Sequence, residues 1–391
     1  MGKPCRQIPL LLYPRYMGSV SVFIFALALG TAGAQTAKPA PMTEADDYMR
    51  KGIAAQQQHD LNAAIDAYRK ALAINPALGE ARANLGAALS AVGRFDEAIQ
   101  EDKKALASAP GNIGVRMNLG LAYYKKGDME NAHSAFETVH AARPQDVAAA
   151  VLLGYTDIKM GKSNEAAAML TPLEGGHESN MDLEYVLAFA LIDSGEETAG
   201  LPRMEKVAKA TRSADAWFIA GTARLRRREF HEARADLDAA IDLHGDLPGL
   251  YTMAGQARDA LGDTEAAQPA FEQALKQDPK DFTANLYLGT MRLKQRDLES
   301  ARPMLELALQ LQPANSMARL QMAKLNGMTG KYAEAATTLE ELEKADPNWI
   351  DPHIELAAIY YKLHRPDDGQ REREIVQQIE SRQQNAGPPK Q

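Results

Sequence analysis

The sequence predicts an all-α solenoid of about ten copies of a two-helix unit, and three observations predict it. A glycine recurs every 34 residues as Gly52, Gly86, Gly120 and Gly154, and after one residue of slippage as Gly221, Gly255 and Gly289. A small residue keeps the same beat at Ala64, Ala98, Ala132 and Ala166, then at Ala233, Ala267, Ala301 and Ala335. Proline closes many units, at Pro76, Pro110, Pro144, Pro279, Pro313 and Pro347. Three series at one period mark a stacked repeat, in which each unit serves as the floor for its neighbour.

Composition fits a stack better than a single core. The chain has 391 residues, more than one ordinary core holds, and its aromatic content of 6% suits thin helices in close contact. The formal charge is -8 with both signs interspersed, which argues against general nucleic-acid binding, since that needs a basic stripe.

The first residues read as a targeting segment, 1–34. Lys3, Arg6 and Arg15 give a positive start, Val20 to Leu29 an apolar run too short to span a bilayer, and Ala32-Gly33-Ala34 a small-x-small cleavage site. Cleavage after Ala34 predicts a periplasmic or secreted chain with no membrane span. It removes three positive residues and no negative one, so the formal charge goes from -8 to -11. The one cysteine, Cys5, lies inside this segment. The processed chain therefore has no thiol, disulfide or cysteine metal site, which suits an oxidising compartment.

Residues 35–44 read as a Pro/Ala linker, with Thr43 and Asp46 placed to cap the first helix. Units one to nine occupy 45–349, and they begin near Ala45, Gly79, Ile113, Val147, Met181, Ala214, Pro248, Phe282 and Ser316. Each reads as two helices. Glu80 to Ala91 carries apolar and small residues at helical spacing, Gly93 breaks the chain, and Phe95 to Ala107 resumes the pattern. Gly86 and Ala98 fall on facing sides of such a pair, where a larger residue would cost roughly 1–3 kcal/mol by overpacking. Pro110 ends the helix before it, and Gly111-Asn112 turns the chain into the next unit. No unit has an alternating β-branched run, so no sheet is expected.

The pattern departs from regularity in two places. Gly175-Gly176-His177 replaces an ordinary turn, and unit five has Ala188 and Gly200 where glycine and alanine are expected; Gly200 with Pro202 predicts a weakened start to its second helix. The tenth unit, 350–382, begins at Ile350 and is interrupted by Pro366-Asp367-Asp368-Gly369. Its polar last helix, Gln370 to Ser381, reads as a solvating cap, and 383–391 as a disordered tail.

These residues resemble the tetratricopeptide repeat family, whose pattern runs aromatic, Leu-Gly, Tyr, Ala, aromatic, Pro across one unit. Unit three matches through Leu119-Gly120, Tyr123, Ala132, Phe136 and Pro144, and unit seven through Tyr251, Gly255, Ala267, Phe271, Ala274 and Pro279. Trp217 takes the aromatic position of unit six. The resemblance implies a right-handed superhelix whose first helices line a concave groove. Helical spacing then places on that groove Met117, Leu121 and Tyr124; Val151, Tyr155 and Ile158; Tyr185, Phe189 and Ile192; and Phe218 with Leu225. Units one, two, seven and eight mostly put polar or small residues there, among them Gln56, Ser90, Thr252, Gln256 and Thr290. An aromatic-rich apolar strip of this kind marks a site for a protein or peptide ligand. Family members that clamp a terminal carboxylate carry lysine and asparagine in the groove, whereas here Asn84 and Asn118 stand without a lysine framework.

Catalytic motifs are absent from the sequence: it has no Gly-rich phosphate loop, no HExxH and no GxSxG. The eight histidines are scattered; His133 and His140 share a predicted helix with no thiol or motif carboxylate beside them, so no metal, cofactor or catalytic residue is expected. Arg224, Arg226, Arg227 and Arg228 form the main basic cluster, at a helix end whose dipole favours positive charge. The reading is a non-catalytic scaffold for a protein segment in envelope assembly or secretion. A self-associating structural protein, a homo-oligomer of groove against terminal units, is the alternative. A hydrolase-type enzyme with a site across units is a third.

Overall fold

The computed structural model describes residues 43–243 and 246–385. The expected signal segment, nearly all of the linker and residues 386–391 of the tail lie outside the described residues. The described residues form two compact units, one ending at Ala223 and the other beginning at Arg224. They are helical, with no strand.

In the first unit the helices are α1 (Glu44–Gln57), α2 (Leu61–Ile74), α3 (Gly79–Ala91), α4 (Phe95–Ser108), α5 (Ile113–Lys126), α6 (Met129–Ala142), α7 (Val147–Lys159), α8 (Ser163–Leu170), α9 (Met181–Ser194) and α10 (Glu197–Thr211). Next comes α11 (Ala214–Arg226), whose last residues belong to the second unit. The second unit continues with α12 (Phe230–Asp242), α13 (Leu250–Ala260), α14 (Thr264–Gln277), α15 (Phe282–Lys294), α16 (Leu298–Leu311), α17 (Ser316–Met328), α18 (Tyr332–Ala345), α19 (Ile350–Lys362) and α20 (Pro366–Asn385). Odd-numbered helices are the first members of their repeats. Within each unit successive helices pack on one another, as the 34-residue beat requires.

Short-range chemistry sets the helix ends. Thr43 and Asp46 form a reciprocal capping box at α1. Asn112, Asp146, Asn180, Asp281 and Asn315 each accept a backbone N–H of the first turn of a first helix. Between the two helices of a repeat the chain passes through one left-handed residue. It is glycine at Gly93, Gly127, Gly161, Gly195, Gly262 and Gly330, but His59, Arg228, Arg296 and His364 in the other four repeats. A side chain in that conformation costs roughly 1–2 kcal/mol, so glycine suits it best.

The repeating glycine is a contact point. A Cβ on Gly120 would lie 2.6 Å from the Phe136 ring, and one on Gly255 equally close to Phe271. The partner sixteen residues on is large and apolar almost throughout, as at Tyr68, Leu170, Leu237 and Leu305, all fully buried. Asp102 on α4 is the exception.

Two expectations are corrected. Helix α10 runs unbroken through Pro202, and α14 and α16 likewise run through Pro269 and Pro303 at the equivalent position. All three prolines are exposed, on the side of the second helix that no neighbour covers. Gly200 is no weak point either: a Cβ there would meet Ile192 at 2.7 Å and the Ala188 carbonyl at 2.8 Å, so it permits close approach of α9 and α10. In the last repeat, Pro366 opens α20 instead of interrupting it. Proline suits the first helical position, and the helix continues to Asn385.

The irregularity at repeat four is local and well defined. Helix α8 has eight residues against fourteen in α6, and it ends in a short 3-10 turn at Thr171–Leu173 that contains Pro172. Gly176 turns left-handed, with its N–H held by the Glu178 carboxylate at 3.0 Å. Because α8 is short, α9 packs directly on α7 as well as on α8. Ten consecutive residues of α7, Ala149 to Ile158, are buried as a result.

Candidate functional site

The inner-face rows come from three positions on each first helix: three residues before the repeating glycine, one after it and four after it. Neighbouring repeats treat these positions differently. Met117 and Tyr124 on α5 are buried, and Leu121 between them is half-exposed. Tyr124 meets Tyr155 of α7 edge to face, with ring centroids 5.7 Å apart. The outer two positions thus pack against the next first helix, and the middle one faces solvent.

The expected apolar strip is therefore largely core. Met117, Tyr124, Val151, Tyr155, Ile158, Ile192 and Phe218 are buried, and their apolar character is explained by packing between repeats. Tyr155 holds the middle position, yet it is only 6% exposed because α9 closes over α7. Lys159 sits over its ring at 5.3 Å, and burial lowers the pKa of that ammonium. Leu121, Tyr185 and Phe189 remain half-exposed in the first unit, and Leu225 in the second. Burial, with Asp215 nearby, pushes the Tyr185 hydroxyl above its ordinary range.

The last repeat verifies this assignment of positions. Ile354, Ala358 and Tyr361 on α19 hold the same row, and all three are exposed, Ile354 to 50%. Among the described residues no further first helix follows to cover them. In repeats seven to nine the middle position is Gln256, Thr290 and Lys324, polar and half-exposed. Among repeats one, three, five and seven to nine, the solvent-facing middle position is apolar at Ile53, Leu121 and Phe189, and aromatic only at Phe189.

Other sequence features resolve simply. His133 Nε2 lies 2.9 Å from Asp157 Oδ1, two helical turns from His140, so the two histidines do not share a ligand position. Arg224 pairs with Asp236 at 2.5 Å and Arg227 with Glu229 at 2.6 Å, so the basic cluster is engaged within the chain. Asn84 lies beside the Tyr68 hydroxyl, which also donates to Gln56 at 2.7 Å.

Sequence reasoning missed Asp102. It is completely buried, and neither carboxylate oxygen has a hydrogen-bond partner. Burial, then the charge of Glu101, pushes its pKa up to about 8. The signal was available, since Asp102 interrupts a series of apolar residues sixteen positions after each repeating glycine.

Comparison with known proteins agrees with the repeat architecture. One tetratricopeptide repeat family model matches residues 49–113 and 252–316, a second 292–355 and a third 113–146. No curated protein matches significantly. Among solved structures, a tetratricopeptide repeat protein from Parabacteroides merdae matches at 18% identity and a TM-score of 0.49, covering 62% of this chain and 97% of its own. YrrB, described as a TPR protein with an unusual peptide-binding site, matches at 22% identity and a TM-score of 0.44, covering 50% and 99%. Yeast Tom70 matches at 13% identity and a TM-score of 0.36, covering 88% and 90%. Paired helices on a 34-residue beat, small residues at their contacts and family matches in both units lead to one conclusion: the chain belongs to the tetratricopeptide repeat family.

Proposed function

We propose that the chain is a non-catalytic scaffold that binds a protein segment on the inner face of its first unit, with Leu121, Tyr185 and Phe189 as the apolar contacts. The observation that carries this reading is the half-exposed aromatic pair Tyr185 and Phe189 on α9, one turn apart, where repeats seven to nine carry polar side chains. Aromatics held rigidly by a packed helix offer large contact area at low entropic cost, which is the usual make-up of a binding hot spot. Proteins of this family act generally as interaction scaffolds. The partner is a helix or an extended segment with an apolar face. The signal-like residues 1–34 and the absence of cysteine after Cys5 support an exported chain and a role in envelope assembly or secretion.

The test is a photo-crosslinking amino acid placed at position 121 or 189, with a control at Gln256. Crosslinks from both inner-face sites to one segment of one envelope protein, absent from the control, support the reading. Equal crosslinking from all three positions rejects it. A second reading has its own observation, the uncovered row Ile354, Ala358 and Tyr361 at the end of the array. Light scattering of the purified chain decides whether that row joins two copies.

A further inference from the structure

One three-helix junction recurs along the chain, where the end of one repeat meets both helices of the next. In the first unit it brings together Glu174, just after α8, Glu184 on α9 and Arg203 on α10. The guanidinium of Arg203 donates to Glu174 at 2.7 Å and lies 3.9 Å from Glu184, while Lys206 on α10 also pairs with Glu184. Two carboxylates there face two permanent cations.

In the second unit the same spacing, ten residues and then nineteen, joins Glu343 of α18, His353 of α19 and Glu372 of α20. His353 Nδ1 lies 2.7 Å from Glu372 Oε2 and 4.0 Å from Glu343 Oε1, and the three donor atoms all lie within 4.8 Å of one another. His353 is 1% exposed and Glu372 7%. Ile375 stands where the first unit has Lys206. Among the described ion pairs neither Glu343 nor Glu372 meets a lysine or arginine. Two carboxylates are thus held here by a single imidazole.

The tautomer of that imidazole follows from its other contact. His353 Nε2 lies 3.1 Å from the Pro347 carbonyl, six residues back. Arg82, Arg116 and Asn285 donate in the same way to the carbonyls of Pro76, Pro110 and Pro279. A carbonyl only accepts, so Nε2 carries a proton, and Nδ1 is the ring nitrogen that faces both carboxylates. Three lone-pair donors converging on one sheltered point require a positive charge among them.

We propose that this junction is a divalent transition-metal site with Glu343, His353 and Glu372 as its protein ligands. One imidazole nitrogen and two carboxylate oxygens suit a zinc-type ion, with water completing the shell on the more exposed Glu343 side. The backbone carbonyl on Nε2 is the outer-shell partner that such a ligand histidine usually has. A small opening of the Nδ1–Oε2 separation, to about 3 Å, together with an inward shift of the Glu343 carboxylate, accommodates metal–ligand bonds of roughly 2 Å. The ion clasps α20 onto α18 and α19. Sequence reading found no such site because the ligands sit ten and nineteen residues apart on three helices.

The test uses the untagged chain stripped of metal, titrated with zinc in a calorimeter and with cobalt in a spectrophotometer. The expected result is one ion per chain, a visible cobalt absorption band, and a rise in melting temperature on adding zinc. Glu343→Leu copies the leucines, Leu72 and Leu106, that earlier repeats place at this position, and Glu372→Gln keeps the shape of the second ligand. Each is expected to lower zinc affinity by at least about tenfold and to abolish the melting shift, with helicity retained. Either variant alone decides the matter if the other fails to fold. Failure to bind zinc saturably, or equal binding by wild type and both variants, overturns the proposal. Nδ1 then carries a proton, and melting does not respond to zinc.

Discussion

Replacing Asp102 with leucine is expected to stabilise the first unit, and the gain should grow with pH. Asp102 lies in the apolar series between Tyr68 and Phe136, fully buried, with both carboxylate oxygens unbonded. Its pKa is pushed up from 3.8 to about 8, by burial first and by the neighbouring Glu101 second. The folded chain therefore keeps a proton that the unfolded chain loses above pH 3.8. The contribution to stability is fully present below that value, falls as pH rises, and is gone above about 8. The slope is about 1.4 kcal/mol per pH unit, so near neutrality the carboxyl costs on the order of 4 kcal/mol relative to acid. Leucine, already present at this position as Leu170 and Leu305, removes the ionisation and adds apolar contact. Allowing for the extra volume against Gly86, the expected gain near pH 7 is about 2–4 kcal/mol. Urea unfolding followed by circular dichroism at about pH 5 and about pH 7.5 measures it, with wild type and variant compared at each pH. A difference between the two proteins that does not change with pH refutes the reasoning, because Asp102 is then ionised and satisfied in the folded chain.

Four further outcomes are expected. Tyr155→Ala should lower stability by about 3–5 kcal/mol, since its ring, on α7, is packed between α5 and α9, and thermal melting reports it. Phe189→Ala should leave melting nearly unchanged and weaken capture of the crosslinked segment by about 2 kcal/mol or more; a large fall in melting would assign Phe189 to the core instead. Gly120→Val drives a side chain into the Phe136 ring and should cost about 1–3 kcal/mol, read as a lower denaturation midpoint. Deleting 350–391 uncovers the fully buried Leu339 and Leu342, so the truncated chain should aggregate, and light scattering checks this.

The repeat was legible because its determinants are short-range and reiterated. Gly120 against Phe136, the Asn112 cap and the Thr43–Asp46 box can each be read within twenty residues of sequence. The inner face was legible only in part. Helical spacing puts Met117, Leu121 and Tyr124 on one side, but it does not say that the next first helix covers two of the three. Tyr155 shows the limit most clearly. Its burial follows from the shortness of α8, which the Gly175-Gly176 irregularity hinted at without revealing that α9 would close on α7. Pro202 was misread because a proline rule for helix interiors was applied to an exposed position at which α14 and α16 also carry proline. His353, Glu343 and Glu372 meet only through the stacking of three helices, and no local pattern announces them.

The left-handed turn between paired helices also sets an order of opening. Repeats two to five all carry glycine there, whereas the first, sixth, eighth and tenth carry His59, Arg228, Arg296 and His364 in the strained conformation. In a linear stack a repeat opens at a cost set by its own stability and by the neighbours that it releases. Among the described residues the first and tenth repeats combine a strained turn with a neighbouring repeat on one side only, so both are expected to fray before the interior. The unstrained block of repeats two to five includes Leu121, Tyr185 and Phe189, and its amides should be the slowest to exchange with solvent in the first unit. A partner arriving at that face therefore meets a surface already formed, and spends little of its binding energy on ordering the scaffold.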